Sequence, residues 1–524
     1  MKSILTCLAV LLLTPLAALH ATEPADTSIR APELMLKRGD FVAMAGDSIT
    51  YMSRYSLLVE MYLLAARPDL DLRVMKIQRW CGGTADVYAR ETLDQELIPA
   101  KPNVVTVCFG MDDGGGAELS PETVRRYEAS LTQIVERNSS HGIATVVCSP
   151  GVVDEFSYEN AKLAAAAFNA ANGTPSATDD TADNAPAAVY NRTLAGLRDA
   201  ARRVAETHQT PFADVYAAMF GVMQHAKEGY GTTWPPRMSL RRPDRRAMLC
   251  DDGVHPDTAA HIPMAYAVLR TMGFDGDIGS ITLDWTDGTV MSDPAQVVKV
   301  VSKGRLDVES PRLPLCFFDD SAMSGGYPSV PCRYVLQHCP FHQDLNRYRL
   351  QVRGLPNQPI RVTWGDRSLF FTREQLESGI NLAAEFPENP FCPVMRTLDA
   401  AVWKKQVFER RLFEILNVAI WKDHFSGRKP EQRREELQKI LGDFSAWARA
   451  EFPANGELLE ACEAISARAL SKDEDIPLSE FVGIRQMLFE RQREYHVRAR
   501  AYQACAAHDH GRTDFLRQIG PWAA

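Results

Sequence analysis

Length, composition and charge set broad limits on the fold and function of this chain. Its 524 residues, 45% of them hydrophobic and 24% charged, are typical of a folded protein with more than one domain. The formal net charge of −9 excludes general attraction to nucleic acids or anionic membranes. A local basic patch stays open, formed by Arg241, Arg242, Arg245 and Arg246.

The N-terminus has the pattern of an export signal. Lys2 precedes an apolar stretch from Ile4 to Leu19, which is shorter than the roughly 20 residues of a membrane span. We therefore predict a signal peptide over residues 1–21, a secreted or periplasmic location, and no membrane insertion once the signal is removed. Of the eleven cysteines only Cys7 lies in this segment, so ten remain where disulfides are permitted, with their pairing open.

Residues 22–275 predict an α/β domain, because short apolar runs alternate with amphipathic stretches. The predicted strands are Phe41 to Ala45, Arg73 to Ile77, Val104 to Phe109 and Ala144 to Cys148. The predicted helices are Leu57 to Ala66, Val124 to Val135, Ala188 to Thr207 and Thr258 to Met272. Residues 170–185, nearly without large apolar side chains, are interpreted as a flexible surface insertion.

The pattern changes twice further along the chain. Residues 276–390 predict a small antiparallel β region, with strands clearest at Tyr348 to Val352, Ile360 to Trp364 and Ser368 to Phe371. Residues 391–524 predict a helical region, with helices at Val402 to Lys422, Pro430 to Ala450 and Leu478 to Ala506.

Two segments of the α/β domain carry candidate catalytic residues. The first predicted strand leads into Gly46, Asp47 and Ser48, a sharp turn that exposes the serine hydroxyl. Near the end of the domain, Asp252 stands three residues before His255, the spacing at which an acid orients an imidazole so that it takes a proton from a serine. Taken alone, the serine segment is equally consistent with an ordinary capped turn, and the Asp252 segment is better explained as a surface loop whose acid caps the following helix.

Two glycine-rich segments lie between them, after the second and third predicted strands. The first is Cys81, Gly82, Gly83 and Thr84, and the second runs from Gly110 through Asp112 to Gly116. In order and strand context, the four segments resemble the sequence blocks of the SGNH (GDSL-like) hydrolase family over roughly residues 40–273.

The resemblance implies a flavodoxin-like parallel sheet flanked by helices, and a role for each matched residue. Ser48 would be the nucleophile, His255 the general base and Asp252 its orienting acid. The N–H groups of Ser48 and Gly82 and the side chain at position 112 would form the oxyanion hole. That third donor is asparagine in the family and Asp112 here, and a charged carboxylate only accepts hydrogen bonds.

Three explanations of Asp112 stay open: its pocket keeps it protonated, another donor replaces it, or the site is weak or inactive. The sequence thus predicts an exported serine esterase acting on small-molecule or glycan esters, with O-acetyl groups of extracellular carbohydrates as the favoured class. The alternative is a binding or scaffold protein on a decayed hydrolase fold. The predicted mechanism needs no metal or cofactor, and a zinc site is set aside at Cys332, His338, Cys339 and His342.

Overall fold

The computed structural model describes residues 33–78, 83–159, 186–241, 243–302, 304–320 and 329–416, parts of 439–450, and 516–521. The predicted signal peptide, the insertion at 170–185 and most of the predicted C-terminal helices lie outside these residues. Within the described residues, no helix combines the length and hydropathy that a membrane span requires.

A five-stranded parallel sheet forms the centre of the α/β domain. Its strands are β1 (Phe41–Gly46), β2 (Arg73–Gln78), β3 (Val104–Cys108), β4 (Ala144–Cys148) and β5 (Phe212–Ala213), in the order β2-β1-β3-β4-β5. All six residues of β1 are buried, as expected for a strand covered on both faces. This order confirms the flavodoxin-like prediction and places the switch point between β1 and β3, where such sheets bind their ligands.

Helices cover both faces of this sheet. They are α1 (Ser48–Tyr51), α2 (Arg54–Ala66), α3 (Ala85–Val87), a π-helical segment (Tyr88–Leu97), α4 (Ile98–Ala100), α5 (Pro121–Ser140), α6 (Pro186–Thr207), α7 (Val215–Glu228) and α8 (Ile262–Thr271), with 3-10 turns at Pro68–Leu70 and Ala259–His261. Helix α5 buries one face only, whereas all thirteen residues of α2 are buried. Helix α2 therefore packs against further protein on its outer side as well.

The β-rich part forms two smaller sheets. The first has the order β13-β10-β6-β7 and the second the order β12-β11-β14-β9-β8. Their strands are β6 (Asp277–Asp284), β7 (Val290–Ser292), β8 (Val297–Ser302), β9 (Arg305–Glu309), β10 (Arg347–Arg353), β11 (Ile360–Trp364), β12 (Arg367–Phe371), β13 (Ile380–Asn381) and β14 (Leu516–Pro521). Pairing is antiparallel except between β6 and β10. The antiparallel β prediction is confirmed, and β14 adds a strand from the far end of the chain.

Helices in this part of the chain are short, with one exception. They are α9 (Cys332–Leu336), α10 (Phe341–Asp344), α11 (Arg373–Ser378), α12 (Leu382–Glu385) and α13 (Cys392–Leu416). The 25-residue α13 lies at the beginning of the predicted helical region and packs against α2 and β2 of the α/β domain.

A buried ion cluster joins α13 to α2. Lys405 Nζ lies 2.7 Å from Glu60 Oε1 and 3.0 Å from Glu409 Oε1, and it donates a hydrogen bond to the Val74 carbonyl at 2.7 Å. Gln406 donates to the other Glu60 oxygen at 2.8 Å. The side chains of Lys405, Glu60 and Glu409 are 7%, 1% and 4% exposed. These charges are therefore stabilised by one another rather than by water.

Candidate active site

The turn after β1 presents Ser48 at the carboxyl edge of the central sheet. Asp47 caps α1, its Oδ1 accepting a hydrogen bond from the Ile49 N–H at 3.0 Å, and Ser48 is the first residue of that helix. A Cβ at Gly46 would lie 2.0 Å from Thr50 Oγ1 and 2.7 Å from the Cys108 carbonyl oxygen. The tight turn that exposes Ser48 therefore requires glycine at position 46.

The three predicted catalytic side chains meet in one hydrogen-bonded line. His255 Nε2 lies 2.9 Å from Ser48 Oγ, and His255 Nδ1 lies 2.8 Å from Asp252 Oδ2. Asp252 Oδ1 accepts from the backbone N–H groups of Val254 at 2.9 Å and His255 at 2.7 Å. The structure thus brings together residues 207 positions apart in the geometry of a nucleophile, a base and an orienting acid.

The electrostatics of Asp252 suit this arrangement. Burial opposes its ionisation, but the hydrogen bond and charge of His255, together with the two backbone N–H donors, outweigh burial and lower the pKa of Asp252 to about 2. The carboxylate is therefore ionised at neutral pH and orients the imidazole with its Nδ1–H toward Asp252. Nε2 is then the nitrogen that faces the serine hydroxyl.

A buried aspartate that the sequence analysis missed holds the loop before Asp252. Asp154 is fully buried, and its Oδ2 accepts hydrogen bonds from three successive N–H groups, of Met248, Leu249 and Cys250, at 2.7, 2.6 and 3.0 Å. Its own N–H donates to the Gly253 carbonyl at 2.9 Å. Asp154 therefore ties the chain after β4 to the loop that carries Asp252 and His255. Its position after a buried strand is the only signal in the sequence.

The predicted oxyanion side is acidic. Gly82 lies outside the described residues, but Gly83 donates its N–H to Asp112 Oδ2 at 2.9 Å. Neighbouring Asp113 is buried and accepts from the Ala85 N–H at 3.1 Å. Burial, strengthened by the Asp112 charge, raises the pKa of Asp113 to about 7, and the same two causes raise the pKa of buried Asp47. Asp112 thus acts as a hydrogen-bond acceptor beside the site, while its acidic neighbours bind protons more readily than free carboxyls.

The cysteines and histidines considered for a disulfide or a zinc site have contacts other than those of Ser48, His255 and Asp252. Cys332 and Cys339, considered as a bridge, are free buried thiols. The His338 ring stacks on His225 at 4.5 Å, and burial lowers the pKa of His342 to about 4.

The arginines of the basic patch contact acidic or aromatic groups. Arg241 Nη1 lies 3.0 Å from Asp252 Oδ2, and Arg245 Nη2 lies 3.3 Å from Glu159 Oε2. The Arg246 guanidinium lies over the Phe156 ring at 4.2 Å. Arg242 lies outside the described residues.

Comparison with known families agrees with this geometry. Residues 44–261 match the model of the GDSL-like Lipase/Acylhydrolase family, a range that includes Ser48, Asp252 and His255. Through this domain, the chain is similar to the GDSL-like lipase/acylhydrolase family, and the matched range covers less than half of its 524 residues. It is an ester hydrolase, and the family resemblance in its sequence is confirmed.

Solved structures show how far the GDSL-like fold extends. A gut microbial diltiazem-metabolizing enzyme is 18% identical with a TM-score of 0.56, and the match covers 88% of this chain and 96% of that one. The shared fold therefore continues beyond the GDSL-like domain. No curated protein sequence matches the chain.

Two further matches cover 46% of this chain. An acetylxylan esterase from Geobacillus stearothermophilus is 22% identical over 96% of its own length, with a TM-score of 0.31. An alpha/beta hydrolase enzyme from the metagenome of Lake Arreo is 19% identical over 98% of its length, with a TM-score of 0.32.

Proposed function

We propose that this ester hydrolase works through an acyl-enzyme on Ser48, with His255 as general base and acid and Asp252 as its orienting acid. The observation that carries the proposal is the continuous line from Ser48 Oγ to His255 Nε2, at 2.9 Å, and from His255 Nδ1 to Asp252 Oδ2, at 2.8 Å. A binding protein has no physical need for this alignment.

The first half of the reaction transfers the acyl group to the protein. Ser48 Oγ attacks the ester carbonyl carbon while His255 Nε2 takes the hydroxyl proton. The tetrahedral intermediate collapses, the bond to the alcohol oxygen breaks, and the protonated imidazole returns that proton to the leaving alcohol. Asp252 remains ionised throughout and stabilises the imidazolium.

Water completes the cycle. It loses a proton to His255 Nε2 as its oxygen attacks the acyl carbon, and the bond to Ser48 Oγ then breaks. Ser48 Oγ regains the proton and the carboxylic acid leaves. In both halves the negative oxygen would be held by backbone N–H groups, for which we propose those of Ser48 and Gly82, beside the acidic Asp112.

For the substrate, we propose O-acyl groups on extracellular carbohydrates, with acetyl as the first candidate. The signal-like N-terminal sequence supports an exported enzyme, and the β-rich region beside the hydrolase domain resembles the modular build of glycan-acting enzymes. The site also lies at the protein surface, because the side chain of His255 is 30% exposed, and an open site admits an ester on a large alcohol part.

The test is hydrolysis of 4-nitrophenyl acetate by the purified mature protein and its Ser48→Ala variant from pH 5 to 9. Ser140→Ala is the matched control, since Ser140 is exposed at the end of α5. We expect Ser48→Ala to lose activity by a factor on the order of 10⁴ to 10⁶, with Ser140→Ala unchanged. Equal rates for Ser48→Ala and wild type would overturn the acyl-enzyme proposal.

A second measurement tests the substrate class. Acetate release from acetylated xylan is compared with hydrolysis of 4-nitrophenyl esters of increasing acyl length. We expect acetate release together with a sharp fall in rate beyond short acyl chains. A preference for long acyl chains, with no release from the glycan, would contradict the carbohydrate proposal and leave the Ser48 mechanism intact.

A further inference from the structure

The carboxylate that orients His255 has a second cationic partner. Arg241 Nη1 donates to Asp252 Oδ2 at 3.0 Å, the same oxygen that accepts from His255 Nδ1 at 2.8 Å. The Arg241 side chain is 52% exposed and that of Asp252 is 18% exposed, so a largely exposed guanidinium contacts a mostly buried carboxylate.

The backbone of Arg241 is held in place by the residue next to Asp252. Asp251 Oδ1 accepts from the Leu240 N–H at 2.8 Å, and its Oδ2 accepts from the Arg241 N–H at 3.2 Å. Ser239 Oγ donates to the Asp251 carbonyl at 2.6 Å. Consecutive residues 251 and 252 therefore contact the backbone and the guanidinium of Arg241 respectively.

A guanidinium at this position has two effects on the proposed line. Its hydrogen bond restricts rotation of the Asp252 carboxylate, which fixes the imidazole. Its positive charge also offsets part of the attraction between Asp252 and protonated His255, and two cationic groups then share one carboxylate oxygen.

We propose that Arg241 is a positioning residue of the esterase site, which holds Asp252 in place and limits how strongly this carboxylate stabilises protonated His255. The inference rests on the proposed Ser48 mechanism. It assigns the loop at 239–241 to the catalytic machinery, although none of its residues belongs to the family's sequence blocks.

The test compares Arg241→Gln, which removes the charge, with Arg241→Lys, which keeps it. The matched control is Arg245→Gln, four residues further along the chain and outside the loop at 239–241, whose ion-pair partner is Glu159 rather than Asp252. The measurement is the pH dependence of kcat and kcat/KM for 4-nitrophenyl acetate, together with the melting temperature.

We expect Arg241→Gln to lower kcat several-fold with little change in KM. Without the cation, Asp252 attracts the positively charged imidazole more strongly. The acidic limb of kcat/KM therefore moves upward, by on the order of half a pH unit. Arg241→Lys restores the position of the limb, and Arg245→Gln leaves both kcat and the limb unchanged.

Two outcomes would overturn the inference. One is a wild-type kcat and pH profile for Arg241→Gln. The other is a loss of activity that follows a lower melting temperature without movement of the limb, since this indicates a purely structural role. Ser48→Ala separates the two proposals: if it is inactive while Arg241→Gln behaves as wild type, only the role of Arg241 fails.

Discussion

Two groups of charged side chains in this protein differ in almost every physical respect. The Asp252–His255 pair lies on a loop, 18% and 30% exposed, and aligns with a serine hydroxyl. The Glu60–Lys405–Glu409 cluster is nearly inaccessible and joins two helices whose residues are 345 positions apart. A charge that must meet substrate and water is kept near the surface, whereas the buried charges fix one helix against another. Variants of the exposed pair should therefore affect activity, and variants of the buried cluster should affect stability.

The largest effect is expected at the exposed pair. Asp252→Asn keeps the shape of the side chain but removes the charge that stabilises protonated His255, and its amide favours the wrong imidazole tautomer. We expect kcat for 4-nitrophenyl acetate to fall by about 10⁴-fold while the urea unfolding midpoint stays near that of wild type. Asp86→Asn, at the exposed ion pair with Arg90, serves as the control and should keep full activity. A loss below tenfold for Asp252→Asn would contradict the assigned role.

The second effect is expected at the buried cluster and concerns stability. Lys405→Met removes the cation that contacts both Glu60 and Glu409, and we expect the free energy of unfolding in urea to fall by about 3–5 kcal/mol. Activity per folded molecule should change little. Arg90→Met, which breaks an exposed ion pair, should cost about 0–1 kcal/mol.

The double variant Lys405→Met with Glu60→Gln checks the cause of that loss. Removing one of the two buried negative charges should recover part of the stability, because the penalty comes from burying both carboxylates without Lys405. Two outcomes would contradict the proposed role of the buried cluster in stability. One is a cost below about 1 kcal/mol for Lys405→Met, and the other is a double variant no more stable than the single one.

The same contrast explains how much of the molecule the sequence could predict. Asp252 and His255 are three residues apart, and the turn at Gly46 follows a strand of continuous apolar residues, so local spacing identified the proposed catalytic residues and the parallel sheet. Lys405 and Glu60 carry no such local signal, since a charged residue on a helix is ordinarily exposed. Long-range packing of α13 on α2, which the sequence does not encode as a pattern, decides their burial.

Asp154 and β14 are further cases beyond the reach of local reasoning. One buried aspartate after β4 binds a loop about 95 residues away, and a strand at Leu516–Pro521 pairs with β11 from a region that the sequence predicts to be helical. Both depend on partners distant in the chain. Their discovery required the three-dimensional arrangement.

A third, smaller effect is expected at Asp112, where an acidic side chain lies beside the proposed oxyanion hole. Asp112 Oδ2 already accepts the Gly83 N–H, so asparagine can keep that bond through its carbonyl oxygen and offer an N–H₂ donor as well. We expect Asp112→Asn to raise kcat for 4-nitrophenyl acetate by about tenfold to a hundredfold. Asp113→Asn is the control, because Asp113 accepts from Ala85 instead and should give no gain.

The other outcomes at Asp112 are equally informative. A lower kcat in Asp112→Asn would mean that a protonated Asp112 is itself the donor. An unchanged kcat would mean that another group takes its place. Only an increase in kcat supports the view that the negative charge of Asp112 slows the reaction. It would also show that the protein folds with an unfavourable charge at the exposed site, which the buried cluster would not allow.

The smallest effect is expected at a pair of thiols, one buried and one half-buried, whose exposure lies between those of the two charged groups. Cys316 is buried and Cys392, at the start of α13, is partly exposed. A hydrogen bond from the Cys316 thiol outweighs burial and lowers the pKa of Cys392 to about 6, whereas burial raises that of Cys250. Among the seven cysteines in the described part of the chain, Cys392 should therefore react first with iodoacetamide in the reduced native protein at pH 7.5.

The pH dependence and one variant sharpen this last prediction. The Cys392 thiolate predominates above about pH 6, so its alkylation rate, followed by mass spectrometry of the Cys392 peptide, should fall several-fold between pH 7 and pH 5. Cys316→Ala removes the hydrogen-bond donor, so the same fall should occur at a higher pH. Faster labelling of buried Cys250 would contradict the predicted order of reaction. A pH profile that Cys316→Ala leaves unmoved would show that the Cys316 hydrogen bond does not govern the ionisation of Cys392. In that case the ionisation of Cys392 would not depend on a buried partner, in contrast to the charges of the Glu60–Lys405–Glu409 cluster.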